Sequence, residues 1–456
     1  MKDYEVIVIG SGAGSVLVEE TLSHGLKTAL VDKGPTGGTC LNVGCIPTKM
    51  IVFPADRIVE MQEARKHGIH AEVKNIDFAG IMESMRMKIG SSRDHMRQGI
   101  KQTEGLDFYE TEAHFVEDYT LDAGGEKIRG KKIFIASGAR PSIPHLKGID
   151  GIDYLTNESA LDLTSKPESL IIIGGGYIAV EFGHFFAAMG TEVTLLQKAR
   201  RLIKEEEPEI CAHLERKMQE RMTVHTHTEA LETERVDGGV QVTAEDGDTG
   251  ELKQYQAEQI LIGAGRRSNA DLLKVENSGV QTDERGYIIV DNFFKTSKTN
   301  IWAFGDAVGR KMFRHAANHE AQIVFQNGIH GDKIEMDFNK VPHAVFSYPP
   351  VASVGMTEAE AQKGHDVLVG KAMYSDVAKG EAMRDEDSFA KIILEKKTGK
   401  ILGCHIIGPH APILIQEVIN AMTVGETVLP LIQGMRIHPA LPEVIGAALG
   451  NLREPS

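Results

Sequence analysis

The sequence predicts an α/β protein: two doubly wound βαβ domains followed by a separate α+β module. Three observations predict it. A β-branched run, Tyr4–Ile9, leads into the turn Gly10-Ser11-Gly12-Ala13-Gly14-Ser15, a helical stretch, and a short apolar strand closed by Asp32. The same order returns from Leu170, through Gly174-Gly175-Gly176-Tyr177-Ile178-Ala179 and a helical stretch to Met189, into the strand Glu192–Leu196. From about Pro342 the glycine-rich turns thin out. There Asp387–Leu394, Leu402–Ile407 and Pro412–Met422 read as strand, strand and helix. Between the first unit and residue 100, the Met/Lys/Glu-rich stretch Ile51–Met96 has helical spacing and predicts two long helices.

Composition bounds the function. The chain has 456 residues, enough for about three domains at roughly 150 each. It is 41% hydrophobic with 47 glycines, a globular balance that excludes disorder for most of its length. Fifty Lys and Arg against 65 Asp and Glu give a net charge of −15. Such a chain repels phosphate backbones, so no nucleic-acid partner is expected, although local basic pockets for small phosphates stay open. The apolar runs fall short of the ~18 residues a membrane span needs, so no membrane partner is expected either. Met1-Lys2-Asp3-Tyr4-Glu5 carries no signal-peptide features, and the expected location is cytoplasmic. Four cysteines build no disulfide framework, and a special pair among them points to catalysis or metal.

The first glycine turn follows a strand, opens a helix and is followed about 20 residues on by an acid, the context that makes it a dinucleotide site. Gly10 permits the tight turn, Gly12 lets the backbone approach a diphosphate, and Asp32 can accept hydrogen bonds from a ribose. Ser15 stands where the third glycine is usual, at some expected loss of helix–strand closeness. The second copy, Gly174-x-Gly176-x-x-Ala179, ends its second strand at Gln197 instead of an acid. Lys198, Arg200, Arg201 and Lys204 follow. A carboxylate there would repel a 2′-phosphate, whereas Gln with neighbouring cations welcomes one, so NADP(H) is favoured over NAD(H). The other reading of the cluster is a solvated surface paired with Glu205, Glu206 and Glu207.

Cys40 and Cys45 are separated by four residues, a spacing that suits one helical turn and its entry. Zinc would need two more ligands at matching spacing. Cys211 and Cys404 are isolated and read as core thiols, so no metal is expected. A helix N-terminus at Cys45 would favour its thiolate.

The segment Gly37–Lys49 resembles the active-site signature of the class I pyridine nucleotide-disulfide oxidoreductases, which include dihydrolipoamide dehydrogenase, glutathione reductase, mercuric reductase and mycothione reductase. The likeness extends over essentially the whole chain. Ile133–Pro141 resembles the crossing out of the FAD domain, and Ile260–Arg266 with Asn269 the return, with Ser268 in place of the usual Pro. Ile301-Trp302-Ala303-Phe304-Gly305-Asp306 resembles the second FAD motif, and His438-Pro439-Ala440-Leu441-Pro442-Glu443 the C-terminal His-Pro…Glu. Gly12–Ser15, Cys45–Phe53 and Phe313–Ala321 look most like mycothione reductase.

The resemblance implies four segments: an FAD-binding domain, first part, over 1–145; an NAD(P)-binding domain over 146–266; the second FAD part over 267–335; and a dimerisation domain over 336–456. FAD would be bound by Gly10, Gly12, Gly14, Asp32, Gly38, Thr39, Ala113, Ser137, Gly138 and Asp306, the last holding a ribitol hydroxyl. NADP(H) would meet Gly174, Gly176, Tyr177, Lys198, Lys204 and Gly265. Cys45 would lie beside the flavin and Cys40 would attack the substrate disulfide. His438, oriented by Glu443, would reach Cys40 from the opposite subunit of a homodimer. Lys49 and Glu181 would pair near the flavin N5. An ordinary surface Lys and an ordinary helix Glu remain open for those two, and a packed core Tyr for Tyr177.

The expected function is thus an FAD-dependent NAD(P)H:disulfide oxidoreductase. Dihydrolipoamide dehydrogenase running toward dithiol oxidation, or a structural flavoprotein subunit, are the alternatives. Mercuric reductase is disfavoured because the end of the chain carries no cysteine pair.

Overall fold

The computed structural model describes residues 1–455; Ser456, the last residue of that cysteine-free end, lies outside them. The chain divides into two compact units. One comprises Met1–Met50, Gly80–Ser142 and Gly265–Phe338; the other comprises Ile51–Ala79, Ile143–Ala264 and the chain from Asn339 on.

The first unit is built on a parallel sheet. Its strands run in the order Leu106–Tyr109, Thr28–Val31, Lys2–Ile9 and Glu126–Ile135, with Ile301–Ala303 on the far edge. The antiparallel strands Thr120–Ala123 and Ala113–Glu117 continue that edge. Parallel strands are covered on both faces, which is why Val6-Ile7-Val8-Ile9 and Ile133-Phe134-Ile135 are continuous apolar runs. Alternation still divides them. Ile7, Ile9, Val31, Ile133 and Ile135 share one core. Val6, Val8, Leu30 and Phe134 share the other with Leu17, Phe304 and Val324. The expected strand–helix–strand is present as Lys2–Ile9, Gly14–Ser23 and Thr28–Val31. The two expected long helices are Cys45–Glu63 and Phe78–Gln102, the first beginning before residue 51 and the second ending beyond residue 96.

The second unit repeats the theme. Thr223–His225, Glu192–Leu196, Ser169–Ile173 and Gln259–Ile262 form a four-stranded parallel sheet. The helix Tyr177–Ala188 is buried along nearly its whole length, with Phe182, Phe185 and Phe186 fully inside. A three-stranded antiparallel sheet, Thr228–Val236, Gly239–Asp246 and Leu252–Ala257, adds a second layer. The expected α+β module is a five-stranded antiparallel sheet ordered His343–Val345, Val351–Gly355, Ile401–Ile407, Phe389–Glu395, Val367–Met373. Helices Ala411–Val424 and Glu443–Gly450 cover one face through Leu414, Val418, Val444 and Ile445.

Glu206 and Glu207 correct the surface reading of the basic loop. Both are buried, turned away from the cations and into the α+β module. Glu206 accepts from Ser353 Oγ and pairs with His343, and Glu207 meets Lys391 at 2.9 Å. Lys391, also buried, further pairs with Glu209 at 3.0 Å and Glu358 at 2.7 Å. Burial alone would pull the Lys391 ammonium down, yet its three carboxylates hold it above the usual lysine range. Removing one partner of a buried ion pair strands the others in low dielectric. Lys391→Ala should therefore lose about 3–5 kcal/mol in urea unfolding. A variant within 1 kcal/mol of wild type would mean that water screens those carboxylates.

Candidate active site

In the first unit the chain folds backbone against backbone. Gly10 has φ +104°, and a Cβ there would lie 2.2 Å from the Ala136 carbonyl oxygen. A Cβ on Gly38, which has φ +66°, would come within 3.0 Å of Gly12 Cα, so the first glycine turn and the loop before the cysteines touch through glycine alone. The close helix–strand approach expected of the third motif position belongs to Gly14, whose Cβ would meet Val8 Cγ1 at 3.0 Å. This corrects the reading of Ser15. Its hydroxyl donates to the Ser11 carbonyl at 2.6 Å and leaves the helix–strand approach to its neighbour. Asp32 accepts from the Ser11 and Gly34 N–H groups and so ties the turn to the second strand.

Cys40 lies in the short helix Gly38–Asn42, and Cys45 is the first residue of Cys45–Glu63, as the spacing led us to expect. Asn42 Nδ2 donates to the Thr36 and Gly38 carbonyls at 3.0 Å and closes the loop beneath the pair. The two thiols hydrogen-bond each other, and that bond with burial pushes Cys40 well above the usual thiol range. Cys45 is exposed and Cys40 half-buried, whereas Cys211 and Cys404 are buried. Burial raises those two thiols to about 11 and about 12, as befits core residues. Lys49 Nζ donates to Thr48 Oγ1 at 3.2 Å.

Asn269 joins the two crossings. Its Nδ2 donates to Ser137 O at 2.8 Å and its N–H to Gly138 O at 3.2 Å, while Arg266–Ser268 pairs antiparallel with Ala139–Pro141. Ser268, at the usual Pro position, donates to Ala307 O at 3.0 Å. Asp306 faces Arg266 at 3.7 Å, and burial raises its carboxyl despite that cation. Glu320 accepts the Gly305 N–H at 2.6 Å, and burial raises it to about 7. Arg314, Arg266 and Glu320 had no assigned role in the sequence. A cation at the head of a helix, as Arg314 is, was the one available signal, because the dipole opposes it there.

In the second unit, Gly174 (φ +125°) approaches the Gly263 carbonyl as Gly10 approaches Ala136: its Cβ would lie at 2.3 Å. A Cβ on Gly176 would meet nothing within 4 Å. Gln197 packs over Gly175 and donates from Nε2 to the Arg201 carbonyl at 3.2 Å. Lys198 pairs with Glu229 at 2.6 Å, Arg200 with Asp248 at 2.9 Å and Lys204 with Glu205 at 3.8 Å, all solvent-exposed. Tyr177 stacks against His343 with ring centroids 6.0 Å apart. Glu181 accepts the Phe346 N–H at 3.1 Å. Lys49 and Glu181 belong to different units.

His438 Nδ1 lies 2.9 Å from Glu443 Oε1, so Nδ1 carries the proton and Nε2 is left as the acceptor. Glu443 Oε2 also accepts the Ala440 N–H at 2.9 Å, and these bonds hold its carboxyl below the usual range. The His438–Pro439 peptide is cis. The imidazole is 72% exposed, and in the residues just before it Ile432, Met435 and Ile437 are exposed as well.

The family model described as pyridine nucleotide-disulphide oxidoreductase matches residues 4–321, and that family's dimerisation domain matches 341–449. The chain belongs to the pyridine nucleotide-disulphide oxidoreductase family. It is 35% identical to mycothione reductase of Mycobacterium tuberculosis over 99% of this chain and 100% of that one. It is 34% identical to dihydrolipoyl dehydrogenase of Geobacillus stearothermophilus over 96% and 94% of the two chains. Among solved structures, a Cu(II) complex of the HOCl-induced flavoprotein disulfide reductase RclA of Escherichia coli superposes with TM-score 0.87 at 28% identity, covering 99% of each chain. Membership makes the protein a flavin-dependent enzyme acting on sulfur groups with a pyridine nucleotide partner. No helix among the described residues is long and apolar enough to cross a membrane.

The first unit fits the family's FAD. Ser137 Oγ, Thr36 Oγ1 and Arg266 Nε are buried without a protein hydrogen-bond partner, and Gly12 presents bare backbone. Buried polar atoms of this kind are satisfied by a polar ligand or water. A carboxylate whose folded pKa is raised stabilises the fold below its unfolded pKa and loses that contribution as pH rises through the folded value. For Glu320 the window is about pH 4.5 to about 7. Glu320→Gln, which keeps an acceptor for Gly305, should flatten the fall in Tm across it. At pH 8 the variant should exceed wild type by roughly 1–3 kcal/mol. Identical Tm–pH curves would exclude Glu320 as the titrating group.

Proposed function

We propose that the chain is a cytoplasmic, homodimeric, FAD-dependent reductase of a small disulfide, mycothione reductase-like, that draws its electrons from NADPH. The contact of Cys40 with Cys45 at the head of a helix, beside the Gly12 turn, carries the reading. Bound FAD supplies the two-electron relay between the nicotinamide and the cysteine pair. Gly10, Gly12, Gly14, Gly38 and Thr39 would hold its diphosphate by backbone N–H groups, Asp32 would serve the ribose, and Ser137, Gly138, Ala113 and Asp306 would hold the rest.

In the reduced pair, Cys40 attacks one sulfur of the substrate disulfide. A Cys40–substrate disulfide forms, and the first product thiolate leaves with the electron pair of the broken S–S bond. His438 Nε2 takes the Cys40 proton during that attack, and the imidazolium so formed, held by Glu443, gives it to the departing thiolate. Cys45 then attacks Cys40 Sγ as a thiolate, the second product leaves as a thiolate that takes its proton from water, and the Cys40–Cys45 disulfide is restored ready for two further electrons. By the family resemblance, Lys49 and Glu181 would each steady charge beside the bound flavin ring. The exposed apolar side chains just before His438 in the chain support a partner subunit on that face, with His438 serving the partner's cysteines.

Gln197 in place of an acid supports NADPH, with Lys198 and Lys204 toward the 2′-phosphate, Tyr177 over the nicotinamide, and Gly174, Gly176 and Gly265 along the chain of the nucleotide. One observation favours a second reading, dithiol oxidation by NAD⁺: Lys198, Arg200 and Lys204 each already face a carboxylate. A coenzyme comparison separates the two. NADPH should exceed NADH in kcat/KM with mycothione-like disulfides, and Lys198→Ala or Lys204→Ala should each cost NADPH roughly 1.5–3 kcal/mol. Faster turnover with NADH, or indifference to the double substitution, would overturn the NADPH reading. His438→Ala should slow disulfide turnover by about 10²–10⁴-fold. Hybrid dimers of Cys40→Ser with His438→Ala subunits should regain activity, because one site recovers both groups. Verified hybrids without recovery would mean that cysteine and histidine act within one chain.

A further inference from the structure

The loop after Glu192–Leu196 holds two of its cations against carboxylates from another layer of the second unit. Lys198 Nζ lies 2.6 Å from Glu229 Oε1, and Arg200 lies 2.9 Å from Asp248 Oδ1. His227 Nδ1 stands 3.0 Å from that same Asp248 oxygen. Both carboxylates come from the antiparallel sheet. Glu229 belongs to Thr228–Val236, and Asp248 to the turn between Gly239–Asp246 and Leu252–Ala257.

Chance meetings of long surface side chains contribute little, but here the backbone sets the pairs side by side. The Gln197 N–H donates to the His225 carbonyl at 2.8 Å, the Thr228 N–H to the Gln197 carbonyl at 2.9 Å, and the His227 N–H to the Ala199 carbonyl at 2.8 Å. The Gly247 N–H donates to the His227 carbonyl at 2.7 Å, which ties the Asp248 turn to the segment bonded to the loop. A Cβ on Gly247 would lie 2.5 Å from His227 Nε2, so that approach depends on glycine. The paired cations nevertheless stay open to solvent, where a stronger anion displaces a carboxylate. A phosphate monoester, with a charge of roughly −1.5 to −2 at pH 7 and three acceptor oxygens, is such an anion. Each carboxylate it displaces takes back part of the gain and leaves a like charge nearby. A coenzyme without the 2′-phosphate disturbs neither pair.

We propose that Glu229 and Asp248 are specificity-determining residues of the coenzyme site, counter-ions that occupy Lys198 and Arg200 until a 2′-phosphate displaces them and that limit how far NADPH is preferred over NADH. The inference rests on the NADPH reading, with Lys198 toward the 2′-phosphate. Gln197 removes one carboxylate from the end of the second strand, and the antiparallel sheet returns two from the side.

The test is calorimetric binding, to the FAD-loaded enzyme, of adenosine 2′,5′-bisphosphate and of 5′-AMP, which lacks the 2′-phosphate. Glu229→Gln and Asp248→Asn should each tighten the bisphosphate by about two- to fivefold and leave 5′-AMP unchanged. The NADPH:NADH ratio of kcat/KM should rise by the same factor. In a Lys198→Ala background, Glu229→Gln should bring no gain, because the cation it released is gone. A gain that persists there is a general effect of net charge and overturns the proposal. Unchanged bisphosphate affinity in both variants overturns it too. So does weaker 5′-AMP binding in Glu229→Gln, which would make Glu229 an acceptor for the ribose hydroxyls. If Glu229→Gln does not fold, Asp248→Asn decides, with Arg200→Ala as its background. The NADPH reading fails by a different result: Lys198→Ala leaves the bisphosphate affinity unchanged, and the proposal falls with it. Where Lys198→Ala weakens the bisphosphate and the carboxylate variants do nothing, that reading stands and the proposal alone is overturned.

Discussion

The contact between Gly12 and Gly38 is the constraint on which the first unit's chemistry rests. A single methyl on Gly38 would come within 3.0 Å of the Gly12 backbone. Because neither residue has a side chain, the first glycine turn and the loop before the cysteines share one surface of bare N–H groups. Everything near it serves that approach. Gly10 tucks beneath the Ala136 carbonyl, Gly14 brings its helix down on Val8, and Asn42 draws the cysteine loop closed. The thiols are thus presented at the head of a helix without a long flexible connection that would have to be ordered at each turnover.

The second unit uses the same device for a different purpose. Gly174 against the Gly263 carbonyl repeats Gly10 against Ala136, and Gly176 again offers bare backbone. Its loop after the second strand is bound at its far end. Glu206 and Glu207 are anchored in the α+β module by His343, Ser353 and Lys391. The cations proposed to meet a 2′-phosphate therefore sit on a segment with one buried, charged end. A buried ionic anchor is weak evidence for stability but fixes register, and here it fixes where that loop begins and ends.

The proposed proton donor lies far along the chain from the proposed sulfur pair. The His438–Glu443 pair is complete in one chain, with its tautomer set by the 2.9 Å bond, yet the imidazole is 72% exposed. On the proposed reading, this oriented but uncovered imidazole, carried on a domain whose family dimerises, serves a site completed by a partner subunit.

The sequence alone determined the two βαβ starts, the α+β module, the cysteine pair and the His-Pro…Glu, and the structure contains each of them. These are local patterns: glycines at turns that need positive φ, apolar runs where strands are buried on both faces, and charges at fixed short spacings. What only the tertiary structure decided involves partners distant in the chain. The Gly12–Gly38 contact, the bond from Arg314 to Gly12, the burial of Glu206 and Glu207 and the transfer of close packing from Ser15 to Gly14 have no local signature. Glu206 and Glu207 looked like partners for neighbouring lysines because charges adjacent in sequence are assumed to be solvated. Folding places them beside Lys391 and His343, where the low dielectric makes the remote cation the stronger partner.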